Sequence, residues 1–195
     1  MTESLFGNSY LTPFLVSTGL VALGEIGDKT QLLSLVLAAR YRRPWPIVAG
    51  IFAATLVNHT AAGALGAWLT LAVGAAWMTK IVAVSFLAMA AWALVPDKLD
   101  EGDVQSKSHG GIFWTTATLF FIAEMGDKTQ VATVMLAARY DSLAMVVAGT
   151  TLGMLLADVP VVFFGDAISK RVPLGIIRKV TAAAFAALGI AGLLA

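Results

Sequence analysis

The chain has 195 residues, of which 58% are hydrophobic and only 13% are charged. Soluble domains carry about 25% charged residues, so this composition excludes an ordinary soluble domain and indicates a polytopic membrane protein. A formal net charge of +1 argues against a nucleic-acid partner, which would require a basic face. The chain contains no cysteine, which excludes disulfides, thiolate metal sites and cysteine nucleophiles.

Six hydrophobic stretches are each near the ~20 residues that a helix needs to cross the hydrocarbon core. They predict an all-α protein with six transmembrane helices, at 13–39, 46–73, 77–95, 112–138, 143–165 and 174–194. Residues 1–12 lack the basic region of a cleavable targeting segment. The first stretch is therefore expected to remain in the membrane as a helix.

A heptapeptide occurs twice in the chain. Residues 25–31 read EIGDKTQ (motif one), and residues 124–130, ninety-nine positions later, read EMGDKTQ (motif two). Between 25–41 and 124–140, 11 of 17 residues are identical. Identity at that level in a chain of this length marks an internal duplication.

The duplication divides a single membrane domain, 1–195, into two copies of three helices. Repeat one spans 13–95, an acidic polar linker spans 96–111, and repeat two spans 112–195. A repeat with an odd number of crossings places its successor upside down, so the copies are predicted to be inverted-topology repeats related by a pseudo-two-fold axis. Inversion would bring the two motifs to the same depth, facing each other.

Lysine and arginine residues are unevenly distributed between the two ends of the predicted spans. Loops rich in these residues stay in the cytoplasm. Nine lie on one side and two on the other, so the first side, with the linker, is expected to be cytoplasmic and both termini outside. The nine are Arg40, Arg42, Arg43, Lys98, Lys107, Lys170, Arg171, Arg178 and Lys179, and the two are Lys80 and Arg139.

Small residues in the second span of each copy predict close helix packing. Gly50 and Ala54 form a small-xxx-small pair, and Gly149 and Gly153 occupy the equivalent places in repeat two. Such pairs let two helix backbones approach closely in a membrane.

Each motif places two carboxylates and one ammonium inside a long apolar run. Ionisable groups are costly at that depth and indicate a functional site. On a continuous helix, residues three and four apart share a face, so Glu25 is expected to project with Asp28 and Lys29. Motif two repeats the arrangement with Glu124, Asp127 and Lys128.

The other motif residues are predicted to support this site. Gly27 and Gly126 leave room for an ion or a neighbouring backbone and permit local unwinding of the helix. Neutral oxygens are added by Thr30, Gln31, Thr129 and Gln130.

The four motif carboxylates and two ammoniums sum to −2 when all are ionised. A buried charge of that size requires a partner. One divalent cation or two protons would cancel it, so metal and protons would compete for one set of oxygens. Oxygen ligands suit hard cations such as Ca²⁺ or Mn²⁺, whereas Mg²⁺ sheds its water reluctantly. The alternative is that each motif is a structural ion pair, which would need neither a second acid nor a second copy.

Two E-x-G-D-K-T-Q motifs in a six-span chain with an acidic central loop resemble the Gdt-type family of cation/proton exchangers, which includes MneA-like bacterial manganese exporters. The resemblance covers essentially the whole chain. It implies export of Mn²⁺ or Ca²⁺ from the cytoplasm against protons, with the metal as transported substrate and no resident cofactor. The implied cation ligands are Glu25, Asp28, Glu124 and Asp127, and Lys29, Thr30, Lys128 and Thr129 complete the motifs. The absence of the long leader of eukaryotic relatives favours a bacterial plasma membrane.

Further polar residues lie within the second and fifth spans. Asn58 and His59 correspond, at the 99-residue offset, to Ala157 and Asp158. Asp158 is predicted either to line the cation or proton path or to pair with a motif lysine. Asn58 is a candidate neutral ligand. His59 is a candidate proton relay, the alternative being a hydrogen bond between helices.

Three other functions compete with cation exchange. An intramembrane aspartyl protease also needs two membrane aspartates, but a shared-proton dyad requires one neutral acid, and a lysine directly follows each aspartate here. An exporter of a small organic cation would need a roomier, partly aromatic site. A channel is disfavoured because paired acids bind a cation too tightly for fast conduction.

Overall fold

The computed structural model describes residues 11–96, 111–165 and 173–194. Within these ranges the chain forms helices and no strand, which confirms the all-α prediction. Most of the linker 96–111, with Lys98 and Lys107, and the stretch 166–172, with Lys170 and Arg171, lie outside the described residues. The helices are α1 Leu11–Glu25, α2 Lys29–Tyr41, α3 Pro44–Val73, α4 Ala75–Ala93, α5 Gly111–Glu124, α6 Lys128–Arg139, α7 Leu143–Phe164 and α8 Leu174–Leu194.

Four of these helices, α3, α4, α7 and α8, are long and apolar enough to cross a membrane. Helices α1 and α5 are apolar but have only 15 and 14 residues. At a rise of 1.5 Å per residue they are about 22 Å long, shorter than a hydrocarbon core of about 30 Å. Neither α1 nor α5 can therefore cross without the helix that follows it.

The first and fourth predicted spans are not continuous helices. Each one is interrupted at its motif, between α1 and α2 and between α5 and α6. Gly27 and Gly126 have φ values of 85° and 76°, a backbone region that glycine adopts readily and other residues avoid. The prediction that Glu25 and Asp28 share one helix face is wrong, because no continuous helix joins them.

The first half-helix of each repeat packs on the second span of the other repeat. Helix α1 lies along α7, and α5 lies along α3. A Cβ atom at Gly149 would lie 2.5 Å from the carbonyl oxygen of Phe14, and one at Gly50 would lie 2.8 Å from that of Phe113. Phe113 follows Phe14, and Gly149 follows Gly50, by the same 99 residues. The same contact therefore occurs twice, each time between the first half-helix of one repeat and the second span of the other. The predicted small-residue packing is confirmed.

Helices α4 and α8 pack along each other. Gly189 brings α8 close to α4, because a Cβ atom there would lie 2.9 Å from the carbonyl oxygen of Ala83. The rings of Phe86 and Phe185 stack with centroids 6.1 Å apart. Helix α8 also contacts α1, where the Thr181 hydroxyl donates a hydrogen bond of 2.9 Å to the Leu23 carbonyl. The first turns of α8 therefore lie beside the break between α1 and α2.

Candidate functional site

The two helix breaks are closed by the same hydrogen bonds. The side-chain oxygen of Gln31 accepts from the backbone N–H of Gly27 at 2.9 Å, and that of Gln130 accepts from Gly126 at 2.8 Å. In both motifs the aspartate N–H also donates to the glutamate carbonyl, at 3.0 Å. The glutamine oxygens, which the sequence offered as neutral ligands, thus satisfy backbone groups that unwinding leaves without helix partners.

An ion pair joins the two motifs. The Lys29 ammonium nitrogen lies 3.6 Å from Oδ2 of Asp127. Thr129 lies against the end of α1, with its methyl carbon 3.5 Å from the Cβ position of Gly24. Motif one and motif two therefore meet at one place in the protein.

All four motif acids are buried. Glu25 and Glu124 are 0% exposed, Asp28 is 2% exposed and Asp127 is 3% exposed. Burying an ionised carboxylate costs several kcal/mol unless hydrogen bonds or opposite charges compensate. The contacts of each acid therefore decide what the site can do.

The two glutamates have different hydrogen-bond partners. Glu25 accepts a hydrogen bond from the Thr30 hydroxyl of its own motif. Glu124 accepts one bond from the Thr55 hydroxyl and one from the Asn58 amide, each 2.7 Å long, and both donors lie on α3 of repeat one. The equivalent residues of repeat two are Met154 and Ala157, which have no polar side-chain atom to donate a hydrogen bond. The two hydrogen-bond donors of Glu124 therefore have no equivalents in repeat two.

The two aspartates immediately precede the second half-helices. Asp127 is the N-cap residue of α6, and its Oδ1 accepts from the backbone N–H of Lys128 at 2.6 Å. Asp28 holds the corresponding N-cap position before α2. The N-terminus of a helix carries a partial positive charge, so both positions favour a carboxylate.

Asp158 contacts repeat one through a serine. Its Oδ1 accepts from the Ser34 hydroxyl of α2 at 2.9 Å, and its Oδ2 is buried without a hydrogen-bond partner among the described residues. The lysines proposed as its partners contact other groups: Lys29 contacts Asp127, and the Lys128 ammonium donates to the Val95 carbonyl at 3.2 Å. Ser34, which the sequence analysis missed, is thus the observed partner of Asp158.

His59 is fully buried on α3. Neither of its ring nitrogens has a hydrogen-bond partner among the described residues. The alternative of a hydrogen bond between helices is therefore not observed, and a proton-relay role for His59 stays a prediction.

A small cavity of about 20 Å³ lies beside motif one. That volume holds about one water molecule or one ion. It brings Asp28 of motif one together with Lys128 and Thr129 of motif two, and with Arg178 of α8. The lining residues are Leu23, Gly24, Ile26, Gly27, Asp28, Ala93, Lys128, Thr129, Arg178, Thr181 and Phe185.

Sequence reasoning did not identify Arg178 as a neighbour of the motifs. It was counted only with the cations of the side predicted to be cytoplasmic, and it lies in α8, within the predicted span 174–194, half-buried at the wall of this cavity. The signal was present in the helical spacing of Leu174, Arg178, Thr181 and Phe185, which places them on one face.

Glu25, Glu124 and Asp127 have different side-chain partners. Within residues 11–96, 111–165 and 173–194, no three acidic or histidine side chains lie close enough to hold one metal ion together. Binding of a single cation by all four motif acids therefore requires side chains to move from the positions described here.

A family model described as "Divalent cation/proton antiporter GDT1" matches residues 13–101 and 112–195. The chain belongs to the GDT1 family. Members of this family exchange divalent cations for protons, and the long apolar helices make this GDT1 chain an integral membrane protein. The prediction of a Gdt-type cation/proton exchanger is confirmed.

Several curated proteins resemble this GDT1 chain along most of its length. A "Putative manganese exporter" of Vibrio cholerae serotype O1 is 54% identical over 182 residues, covering 90% of this chain and 88% of its own. A GDT1-like protein of Synechocystis sp. is 28% identical, covering 83% and 87%. GDT1-like protein 5 of Arabidopsis thaliana is 26% identical, covering 95% and 97%. No solved structure matches the chain.

Proposed function

We propose that this chain exports Mn²⁺ from the cytoplasm in exchange for protons, at one site built from both motifs. The observation that carries the proposal is the contact between Lys29 and Asp127 at 3.6 Å, which joins two motifs of buried acids. The choice of Mn²⁺ is supported by the 54% identity to the Vibrio cholerae protein described as a manganese exporter. The relation to a bacterial protein supports a location in a bacterial plasma membrane.

The four motif acids are the cation ligands in this proposal. Their oxygens suit Mn²⁺, and Ca²⁺ is a second substrate on the same grounds. With Lys29 and Lys128, the four acids carry a formal charge of −2, which one divalent cation or two protons neutralise. A cation and protons therefore replace each other at the site, and this replacement couples metal export to proton entry.

Neighbouring polar groups position these acids. Thr30 holds Glu25, while Thr55 and Asn58 hold Glu124. Gln31 and Gln130 stabilise the backbone of the two helix breaks through their hydrogen bonds. Asp158, on α7, is a fifth buried carboxylate. Removal of any one of these groups is expected to weaken transport without abolishing the fold.

The proposed architecture has six crossings in two inverted repeats, within one membrane domain. The crossings are α1 with α2, α3, α4, α5 with α6, α7 and α8, so that repeat one spans 13–95 and repeat two spans 112–195. Support comes from the exchanged contacts of Gly50 and Gly149 and from the family model, which matches once in each repeat. Both termini then lie outside, and the linker 96–111 is cytoplasmic.

Two rival functions are less compatible with the geometry. The cavity beside motif one, of about 20 Å³, has the volume of a single ion or water in this conformation and not that of an organic cation. In an aspartyl protease, two carboxylates share a proton, whereas Asp127 forms an ion pair with Lys29. We therefore assign the chain a transport role and no catalytic residues.

Proton flux in proteoliposomes tests the proposal. Purified protein is reconstituted with a pH-sensitive dye inside the vesicles, and Mn²⁺, Ca²⁺, Mg²⁺ or Zn²⁺ is added outside. Mn²⁺ and Ca²⁺ are expected to drive proton efflux, and Mg²⁺ and Zn²⁺ to drive little. Asp127→Asn should abolish the flux, whereas Asp141→Asn, an exposed acid beyond α6, should retain it. Manganese uptake with no change of internal pH would overturn the proposal.

A further inference from the structure

One face of α8 is directed at the break in the first span. The Leu174 side chain covers Gly27, because a Cβ atom there would lie 2.5 Å from a Leu174 methyl carbon. Thr181 donates to the Leu23 carbonyl in the last turn of α1. Arg178 lies between these two contacts, four residues after Leu174 and three before Thr181. Its side chain therefore projects from the same face of α8 as the residues that touch motif one.

Arg178 lines the small cavity that Asp28 also lines. The cavity wall thus carries one carboxylate from motif one and two cationic side chains, Lys128 and Arg178. An arginine keeps its proton in proteins, so its positive charge is permanent. In contrast to the motif acids, it cannot exchange that charge for a proton during transport.

Repeat one has no counterpart of this charge. The residue 99 positions before Arg178 is Thr79. Only repeat two therefore carries a permanent cation at this position, and the duplicated motif by itself does not account for it. The side chain is half-buried at the wall of the cavity beside motif one.

We propose that Arg178 sets the affinity of the exchange site for the divalent cation, an inference that rests on the proposed function. A cation at Asp28 is repelled by the fixed charge of Arg178 across the same cavity. In partly buried surroundings the repulsion between a single and a double positive charge corresponds to about tenfold or more in affinity. The repulsion weakens binding and hastens release, so that the site turns over instead of retaining its cation.

The test compares two neighbouring cations of α8. Arg178→Gln removes the charge at the cavity, and Lys179→Gln removes an equal charge one residue later, at an exposed position. Manganese-dependent proton flux in proteoliposomes gives KM and maximal rate for each variant. Arg178→Gln is expected to lower KM about tenfold and to lower the maximal rate. Lys179→Gln is expected to change KM by less than about twofold.

Further variants separate charge from structure. Arg178→Lys keeps the charge and should keep the wild-type KM, whereas Arg178→Met keeps an apolar stem without charge and should match Arg178→Gln. A residue that only ties α8 to α1 would lose maximal rate or folded protein without lowering KM. Failure of both uncharged variants to give folded protein on size-exclusion chromatography would therefore overturn the inference.

The two proposals fail in distinguishable ways. Wild-type vesicles without manganese-dependent proton flux would end the proposed function. In the second case the wild-type vesicles are active, but the Arg178→Gln and Lys179→Gln variants have the same KM. The proposed function would then stand, and the assignment of Arg178 would be wrong.

Discussion

At the residue scale, the two copies of the motif keep identical acids but surround them differently. Glu124 is held by two donors on α3, whereas Glu25 is held by the threonine of its own motif. The cause lies in two substitutions between the copies, because Met154 and Ala157 replace the donors Thr55 and Asn58. Substitution of a given donor is therefore expected to affect one of the two glutamates and not the other.

Asn58→Ala removes the amide that donates to Glu124 at 2.7 Å. A hydrogen bond to a charged group contributes about 1.5–3 kcal/mol, so the initial rate of manganese transport is expected to fall by about tenfold to a hundredfold. Transport assays at equal protein amount measure the change. Thr60→Ala, an exposed position on the same helix, serves as the control. A wild-type rate for Asn58→Ala would show that this contact does not support Glu124.

Glu25→Gln should abolish proton-coupled transport while the protein remains folded in the membrane. A neutral amide of the same size can still accept from Thr30, but it cannot exchange a proton for a metal ion. Manganese-dependent proton flux measures the loss, and size-exclusion chromatography checks the fold. Undiminished flux in this variant would remove Glu25 from the set of cation ligands.

At the element scale, the defining feature is a pair of interrupted helices. Half-helices whose ends meet inside a membrane present unpaired backbone groups and helix dipoles to a bound ion. Here the breaks depend on glycines with positive φ and on glutamines that accept from them. The surroundings of the two glycines differ, since Leu174 covers Gly27 whereas no atom of the described residues lies within 4 Å of a Cβ atom at Gly126.

Alanine substitutions of these glycines should therefore differ in cost. Gly126→Ala introduces backbone strain of about 1–2 kcal/mol, and Gly27→Ala adds a clash with Leu174 at 2.5 Å. The apparent melting temperature in detergent should fall more for Gly27→Ala. Adding Leu174→Ala should recover part of the loss for Gly27→Ala and none for Gly126→Ala. Gly19→Ala, within α1, is the control, because a Cβ atom there meets no atom of the described residues within 4 Å. Equal losses at Gly27 and Gly126 would contradict the clash.

At the scale of the whole molecule, each repeat uses the other to complete its packing. Helix α1 lies on α7 and α5 lies on α3, so neither repeat buries its first half-helix by itself. The same exchange brings Lys29 to Asp127 and Ser34 to Asp158. These contacts between the repeats therefore form only where both repeats are folded together.

Single cysteines test the inverted arrangement, because the chain has none of its own. Arg43 and Ser142 occupy equivalent positions in the two repeats, directly before α3 and α7. The three crossings proposed between them would place the two residues on opposite sides of the membrane. A membrane-impermeant thiol reagent applied to intact cells should therefore label Ser142→Cys and not Arg43→Cys. Labelling of both from one side would exclude inverted repeats.

The sequence by itself determined the class, the duplication, the family and the identity of the buried acids. The hydrophobic composition and the length of the apolar stretches indicate a membrane protein, and the repeated heptapeptide indicates the duplication. Neither conclusion needs coordinates. The interruption at each motif was only partly indicated, because a glycine permits unwinding but does not require it.

The tertiary structure alone decided which groups surround those acids. Arg178 was counted only by its predicted side of the membrane, and Ser34 and Thr55 were not singled out, because each of them lies beside a residue more than sixty positions away. Helical periodicity predicts which residues share one face of a helix, but it does not predict which neighbouring helix that face packs against. That choice depends on how α1, α3, α5, α7 and α8 pack together, and close packing is a property of the assembled helices.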